Sequence, residues 1–475
     1  MERGRAFEEC RKRLASIAGA LGVDSNSASL APVAEIVIQS MTGVWRRFHT
    51  VHHVFQVGGD DDPIEQLAGL FHDVVYLQVD QRIPLNLAAR LTPYVREVIA
   101  LDGTSGEKLR IRDAADCADD AEFLAVRRLF GFDFGDELPP FSGLNEFLSA
   151  LVAAKVLAPV FKPEVIVQVI ACIEATIPFR VPKAGAPDAS EVLRDRLTAL
   201  VAERSLGWSS LEVDAVVQRG VRLANRDVQG FASDDVAVFL DDTWHLIPET
   251  NHNLLSSSTY TVRDYRVSLQ KMHGFLSSLR PDAVFRRFHD EPDEVTHAAR
   301  VAAAARNLGI ASHYLGAKLV SIAFLEALSL RFAPEVALSA LMGELAQDDA
   351  YSIGTLESLL PPLPPAPPPR DDIEAAVRSL LEQGRHVDVQ YDIRHSPIAA
   401  LFLRTMGFER MTSLHKASSE FFAALAAAAD SHARRAAAEH FLAGFDGSLT
   451  EKIAACIGEL FDRRRRSLLA RQGAG

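Results

Sequence analysis

Apolar residues in this chain recur at i, i+3 and i+4 along most of its length, the spacing that lines one face of an α-helix. The pattern runs through 64–75, 163–176, 210–223, 315–330 and 398–408. Alternation with a period of two, the mark of a half-buried strand, is scarce. Residues 236–240 offer a short candidate strand, but one strand does not make a sheet. The expectation is an all-α fold.

A chain of 475 residues is too long for one core, so two or three domains are expected. The clearest boundary is the run Pro361-Pro-Leu-Pro-Pro-Ala-Pro-Pro-Pro-Arg370. Proline fixes φ and lacks the amide donor, so the run reads as a stiff polyproline spacer. It contains Pro365-x-x-Pro368-x-Arg370, which an SH3-type protein partner could read, although a plain linker accounts for it as well. Asp371 and Asp372 offer an N-cap to the next helix, and helices follow over 373–384, 398–408, 410–428, 430–444 and 448–468. A second loop is expected at 181–190, with Pro182, Gly185 and Pro187. Arg463 to Arg466 read as a solvated helix end. The segment from His297 to Ala327 reads as an ordinary Ala-rich helix pair.

Apolar residues at 48% and charged residues at 24% are ordinary for a soluble globular protein. The net charge of -13 argues against a general nucleic-acid binder, though not against a nucleotide in one basic pocket. Cys10, Cys117, Cys172 and Cys456 form no CxxC pair, which fits reduced thiols. The mixed-charge N-terminus is not a secretory signal, and no run approaches the ~18 uncharged apolar residues of a membrane span. A cytoplasmic protein without a membrane partner is expected. The phosphate-binding Gly-rich loops and the Ser-centred nucleophile elbow are absent from the sequence.

Chemistry concentrates in one place. Of the fifteen histidines, His49, His52, His53 and His72 fall within 24 residues. His49 and His53 are four apart and share a helix face, whereas His52 points elsewhere. His72 and Asp73 are adjacent, about 100° apart if helical, and one ion can take both only over the edge between them. Leu67, Leu70 and Phe71 bury the other side. A buried aspartate needs a counter-charge, and a metal supplies one.

Phe48-His49-Thr-Val-His52-His53-Val54 and Leu70-Phe71-His72-Asp73-Val-Val-Tyr76 resemble two blocks of the HD superfamily of metal-dependent phosphohydrolases, an all-α fold with the pattern H…HD…D. The strong motifs are confined to 45–76. The resemblance implies an HD-type helical domain over 1–280, a helical extension over 281–355, the Pro-rich linker over 356–370 and a further helical module over 371–475. It assigns the metal to His53, His72, Asp73 and Asp227. His49 is the alternative first ligand, and Asp113 and Asp116 compete with Asp227. Asp227 follows from Leu223-Ala-Asn225-Arg226-Asp227, which resembles the family's last ligand helix, as Ile173-Glu174-Ala175-Thr176 resembles the segment before it. Phe288-His289-Asp290-Glu-Pro also holds a His-Asp pair, but proline follows directly and it reads as a loop. Between Asp73 and His245 there is no histidine, so one metal is expected and a di-iron redox centre, which would need His245 or His252, is disfavoured.

The cofactor implied is one divalent ion among Mn, Mg, Fe and Co, and the substrate a small phosphorylated molecule such as a nucleotide. The catalytic set is His49 and Asp73 beside the metal, with Arg46 (or Arg47) and Arg226 facing the phosphate. In the polar stretch 246–271, Glu249, Asn251 and His252 could reach the site and Arg266 with Lys271 could bind phosphate; a connecting loop is the simpler reading. The competing function is a catalytically silent HD scaffold that senses a nucleotide or presents its C-terminal helices to a protein partner.

Overall fold

The computed structural model describes residues 3–26, 28–99, 107–117, 119–140, 142–181, 185–255, 260–332, 338–342, 354–365 and 368–473. It is all-α apart from a small antiparallel sheet in which Glu107–Ile111 lies between Val95–Ile99 and Glu137–Leu138. The register pairs Val95 with Ile111 and Leu109 with Leu138. These strands escaped the periodicity reading because they are only two to five residues long, too short for alternation to stand out. The candidate strand at 236–240 is instead the start of the helix Val236–Thr250, which Asp235 caps through the Ala237 amide. A five-residue apolar run does not distinguish the two states.

The chain divides into two units, Met1–Ala232 with Leu279–Ala304, and Ser233–Ser278 with Ala305–Gly475. A boundary between Ser278 and Leu279 falls beside the expected division at 280, whereas none falls at 355 or 370. Proline content reports local backbone stiffness, not which helices share a core. Residues 366 and 367 of the Pro365-x-x-Pro368 motif lie outside the described residues.

In the first unit, the helices that matter are Val51–Gly58, Pro63–Phe71, Leu144–Leu157, Pro163–Ala175 and Ser210–Asp227. Each begins where the sequence provides a start. Thr50 accepts from the His53 amide, Asp62 accepts from Ile64 and Glu65 just before Pro63, and Ser209 with Glu212 forms a capping box. Close approach is licensed by small residues. A Cβ on Gly220 would lie 2.7 Å from the Ala175 Cβ, so Ser210–Asp227 packs backbone-near against Pro163–Ala175. Phe288-His289-Asp290 is a loop, with His289 at φ 51°, as its following proline implied.

The second unit is organised around Asp392. Its Oδ2 accepts from Trp244 Nε1 at 2.7 Å, Tyr265 Oη at 2.7 Å and Lys318 Nζ at 2.8 Å. Arg385, wholly buried, stacks 4.3 Å over the Trp244 ring. This hub joins Val236–Thr250, Val262–Ser278, the second half of Glu294–Phe332 and the segment before Pro397–Ala427 into one core. It is the reason residues after 371 do not stand as a module of their own. Pro397–Ala427 is interrupted at Gly407 (φ 78°, ψ 169°), where the sequence had placed the end of one helix and the start of another. Glu294–Phe332 is one continuous helix, not a pair. By length and composition it could cross a membrane, but 83% of its most apolar window is buried inside the protein. Its Lys318 and Glu326 are matched there by Asp392 and Arg266.

Candidate metal centre

Four side chains from three places in the first unit converge. His53 comes from Val51–Gly58, His72 and Asp73 from the end of Pro63–Phe71, and Asp227 is the last residue of Ser210–Asp227. One ligand atom from each lies within 4.8 Å of all the others, a group that can hold a metal ion. His53 Nε2 stands 3.3 Å from Asp73 Oδ2 and 3.1 Å from Asp227 Oδ1; His72 Nε2 stands 3.0 Å and 3.4 Å from the same two atoms. Ligand atoms about 2.1 Å from one ion stand roughly 3.0 Å apart at a right angle and roughly 3.4 Å apart at the tetrahedral angle. Both imidazole Nε2 atoms are buried, and neither has a hydrogen bond of acceptable geometry. Buried polar nitrogens are normally satisfied, and an ion at the centre would satisfy both.

The residues around the group fix its geometry. The His53 and His72 helices cross at glycines: a Cβ on Gly69 would stand 2.4 Å from the Gly58 Cα. His72 Nδ1 lies 2.8 Å from the Gly69 carbonyl, so Nδ1–H donates there and Nε2 keeps its lone pair toward the group. His72 and Asp73 were expected on one helix, but that helix ends at Phe71 and the chain enters a turn. His72 itself keeps helical angles (φ -56°, ψ -30°), its amide donating to the Ala68 carbonyl.

The electrostatics are those of a site built for a cation. Burial opposes protonation of His53, yet the adjacent carboxylates of Asp227 and Asp73 outweigh it and raise its pKa to about 9. His72 is raised well above the ordinary imidazole value: burial opposes this, and the Asp73 and Asp227 charges override it. Against burial, the His72 charge leads in holding Asp73 well below the usual carboxylate range and Asp227 at about 2. In the absence of an ion, protons on the histidines supply the positive charge the two carboxylates require.

The other expected residues fall elsewhere. His49 is buried with its ring 4.1 Å from that of Tyr76, and it is not one of the four. His52 faces outward, and Asp113 and Asp116 are exposed. Arg46 and Arg226, expected to face a phosphate, have protein partners instead. Arg46 Nη1 donates to the Asp73 carbonyl at 2.6 Å while Nη2 pairs with Asp80 at 2.6 Å. Arg226 donates to the carbonyls of Val57 and Gly58 at 2.8 and 3.2 Å and pairs with buried Glu65 at 2.5 Å. It thereby caps the C-terminus of the His53 helix from the residue beside Asp227. Arginines near ligands in sequence were read as substrate contacts; satisfying buried backbone carbonyls takes the same fork. Glu249, Asn251, His252 and His245 belong to the other unit, and His245 Nδ1 faces the Asp241 carbonyl at 2.8 Å.

Sequence reasoning missed Glu146. Burial raises its carboxyl to about 7, with the charges of Asp73 and Asp227 adding to the lift. Its helix is tied to the ligand turn, because Ser149 Oγ accepts from Val75 N at 3.1 Å and Asn145 Oδ1 from Leu77 N at 3.0 Å. The available signal was a carboxylate in the first turn of a mostly apolar helix. Compared with family models, with curated proteins and with solved structures, the chain finds no match in any of the three.

Proposed function

We propose that the first unit is a metal-dependent phosphohydrolase acting on a small phosphomonoester or phosphodiester, such as a nucleotide. The observation that carries this reading is the convergence of two otherwise unsatisfied imidazole nitrogens and two ionised carboxylates at separations suited to one ion. When bound, a single divalent ion (Mn, Mg, Fe or Co) supplies Lewis-acid polarisation of a phosphoryl oxygen. The protein's own groups do the rest. Gly69 orients His72, Arg46 fixes the backbone of Asp73, and Arg226 holds the His53 helix to the Asp227 helix. Glu146 is the group that holds or delivers a proton near neutral pH.

The engagement of Arg46 and Arg226 favours a second reading, a metal-holding scaffold that binds its ligand without turnover. Elemental analysis of the purified chain beside a His72→Ala/Asp73→Ala double variant, followed by a screen of phosphate esters with Mn²⁺, separates the readings. About one transition metal per chain, lost in the variant, with an ester cleaved only by the wild type (phosphate from a monoester, or a monoester and an alcohol from a diester), is expected of the hydrolase. Metal bound without turnover leaves the scaffold. Negligible metal in both proteins, even after incubation with Mn²⁺, would overturn both.

A further inference from the structure

The second unit carries a cavity that the metal centre does not use. Of about 200 Å³, it is lined by Arg263, Arg266, Arg434 and Glu326, with apolar walls that include Val267 and Leu330. This is smaller than the roughly 300–1,000 Å³ of pockets that take drug-sized ligands. Arg266 is buried and accounted for. Its Nε lies 2.7 Å from Glu326 Oε2, its Nη1 donates to Gln270 at 2.8 Å, and its guanidinium lies 4.7 Å from the Phe422 ring. Glu326 matches that one charge. Arg263 and Arg434, from the helices Val262–Ser278 and Ser431–Leu442, have no ion-pair or hydrogen-bond partner for their side chains among the described residues. Three guanidiniums and one carboxylate therefore leave two uncompensated positive charges on a small cavity, in a chain whose net charge is -13.

Glu326 is held by Arg266 through both carboxylate oxygens, at 2.7 and 3.3 Å, so its single charge is shared with Arg266 before Arg263 and Arg434 are considered. Arg263 is exposed and Arg434 half-buried, so solvent screens part of their repulsion, and an anion between them gains from both charges. The planar guanidinium fork suits an oxyanion with two or more equivalent oxygens.

We propose that this cavity binds a small organic oxyanion of the phosphate-ester class, its oxygens held by Arg263 and Arg434 and its short apolar body against Val267 and Leu330. The Arg266–Glu326 pair forms the fixed wall. Arg266 is the residue the sequence marked for phosphate; Lys271, marked with it, does not line the cavity. The site is independent of the metal centre.

The test is calorimetric titration of the full chain with inorganic phosphate and with a small alkyl phosphate, in the presence of a chelator. Wild type and Asp227→Asn should bind alike, which separates this site from the metal group. Arg263→Ala and Arg434→Ala should each weaken binding at least tenfold with unchanged circular dichroism and Tm, and Arg434→Lys should recover part of the loss. Binding that is absent in the millimolar range, or that survives both alanine variants, would overturn the proposal.

Discussion

Gly58 and Gly69 touch where the His53 and His72 helices cross, and a methyl group on Gly69 would overlap the Gly58 backbone, at 2.4 Å from Cα and 2.5 Å from N. The obstacle is main chain, so it cannot swing aside. Gly69→Ala should cost about 1–3 kcal/mol, the range for overpacking a close contact. It should also separate His53 from His72 and reduce metal loading. Denaturant unfolding and a metal titration on the same variant check both; unchanged loading would show that the glycine contact does not set the ligand spacing.

Arg46 holds the Asp73 carbonyl and Asp80 with a side chain that is itself fully buried. Arg46→Met should destabilise the protein by about 3 kcal/mol, the low end for breaking a buried pair, since Asp80 keeps some solvent contact. Metal affinity should fall about 10–100-fold, as for loss of a group that orients a ligand. If Arg46 instead met substrate, metal affinity would stay at the wild-type value.

The metal-free protein should lose stability as pH rises. A group whose folded pKa is raised contributes stability that is complete below its unfolded value and is lost as pH climbs through the folded one. For Glu146 that window runs from the ordinary glutamate value of 4.5 to about 7. For His53 it runs from 6.5 to about 9, and His72 acts in the same direction. Asp227, lowered from 3.8 to about 2, works the other way, its contribution disappearing only as pH falls through that lower range. The Tm of chelated protein should therefore decline from about pH 4.5 to 9. Glu146→Gln should flatten the lower half and His53→Gln the upper; a Tm independent of pH would remove the proton-for-metal account.

Metal affinity should rise over the same alkaline range, because an ion must displace the protons on His53 and His72. Metal at about 100 times its dissociation constant should add about 2.7 kcal/mol of stability. A Tm gain with Mn²⁺ that is larger at pH 8 than at pH 6 is expected. A gain independent of pH would mean that the ion binds elsewhere.

In the second unit, Asp392→Ala should leave Lys318 and Arg385 buried without their shared carboxylate, at a cost of about 3–5 kcal/mol. Asp392→Asn, which keeps the hydrogen bonds of Trp244 and Tyr265, should recover part of that loss in denaturant unfolding.

Some of this was legible in the chain. Three- and four-residue periodicity is a local property of a helix face, so the all-α class could be read directly, as could the N-cap at Asp371. The break at Gly407 could be read for the same reason. His53, His72 and Asp73 could be named because few side chains bind metals and their spacing was distinctive; Asp227 was named only from the resemblance of its helix to the family's last ligand helix.

What tertiary structure decided is everything that depends on which distant segments meet. It brought Asp227 rather than Asp113 or Asp116 beside His53, and gave Arg46 and Arg226 to backbone carbonyls. It joined residues on both sides of the proline run through Asp392. Sequence patterns record the face a residue presents to its own helix; the partner of a buried charge is set by packing across the chain, and only the folded molecule contains that information.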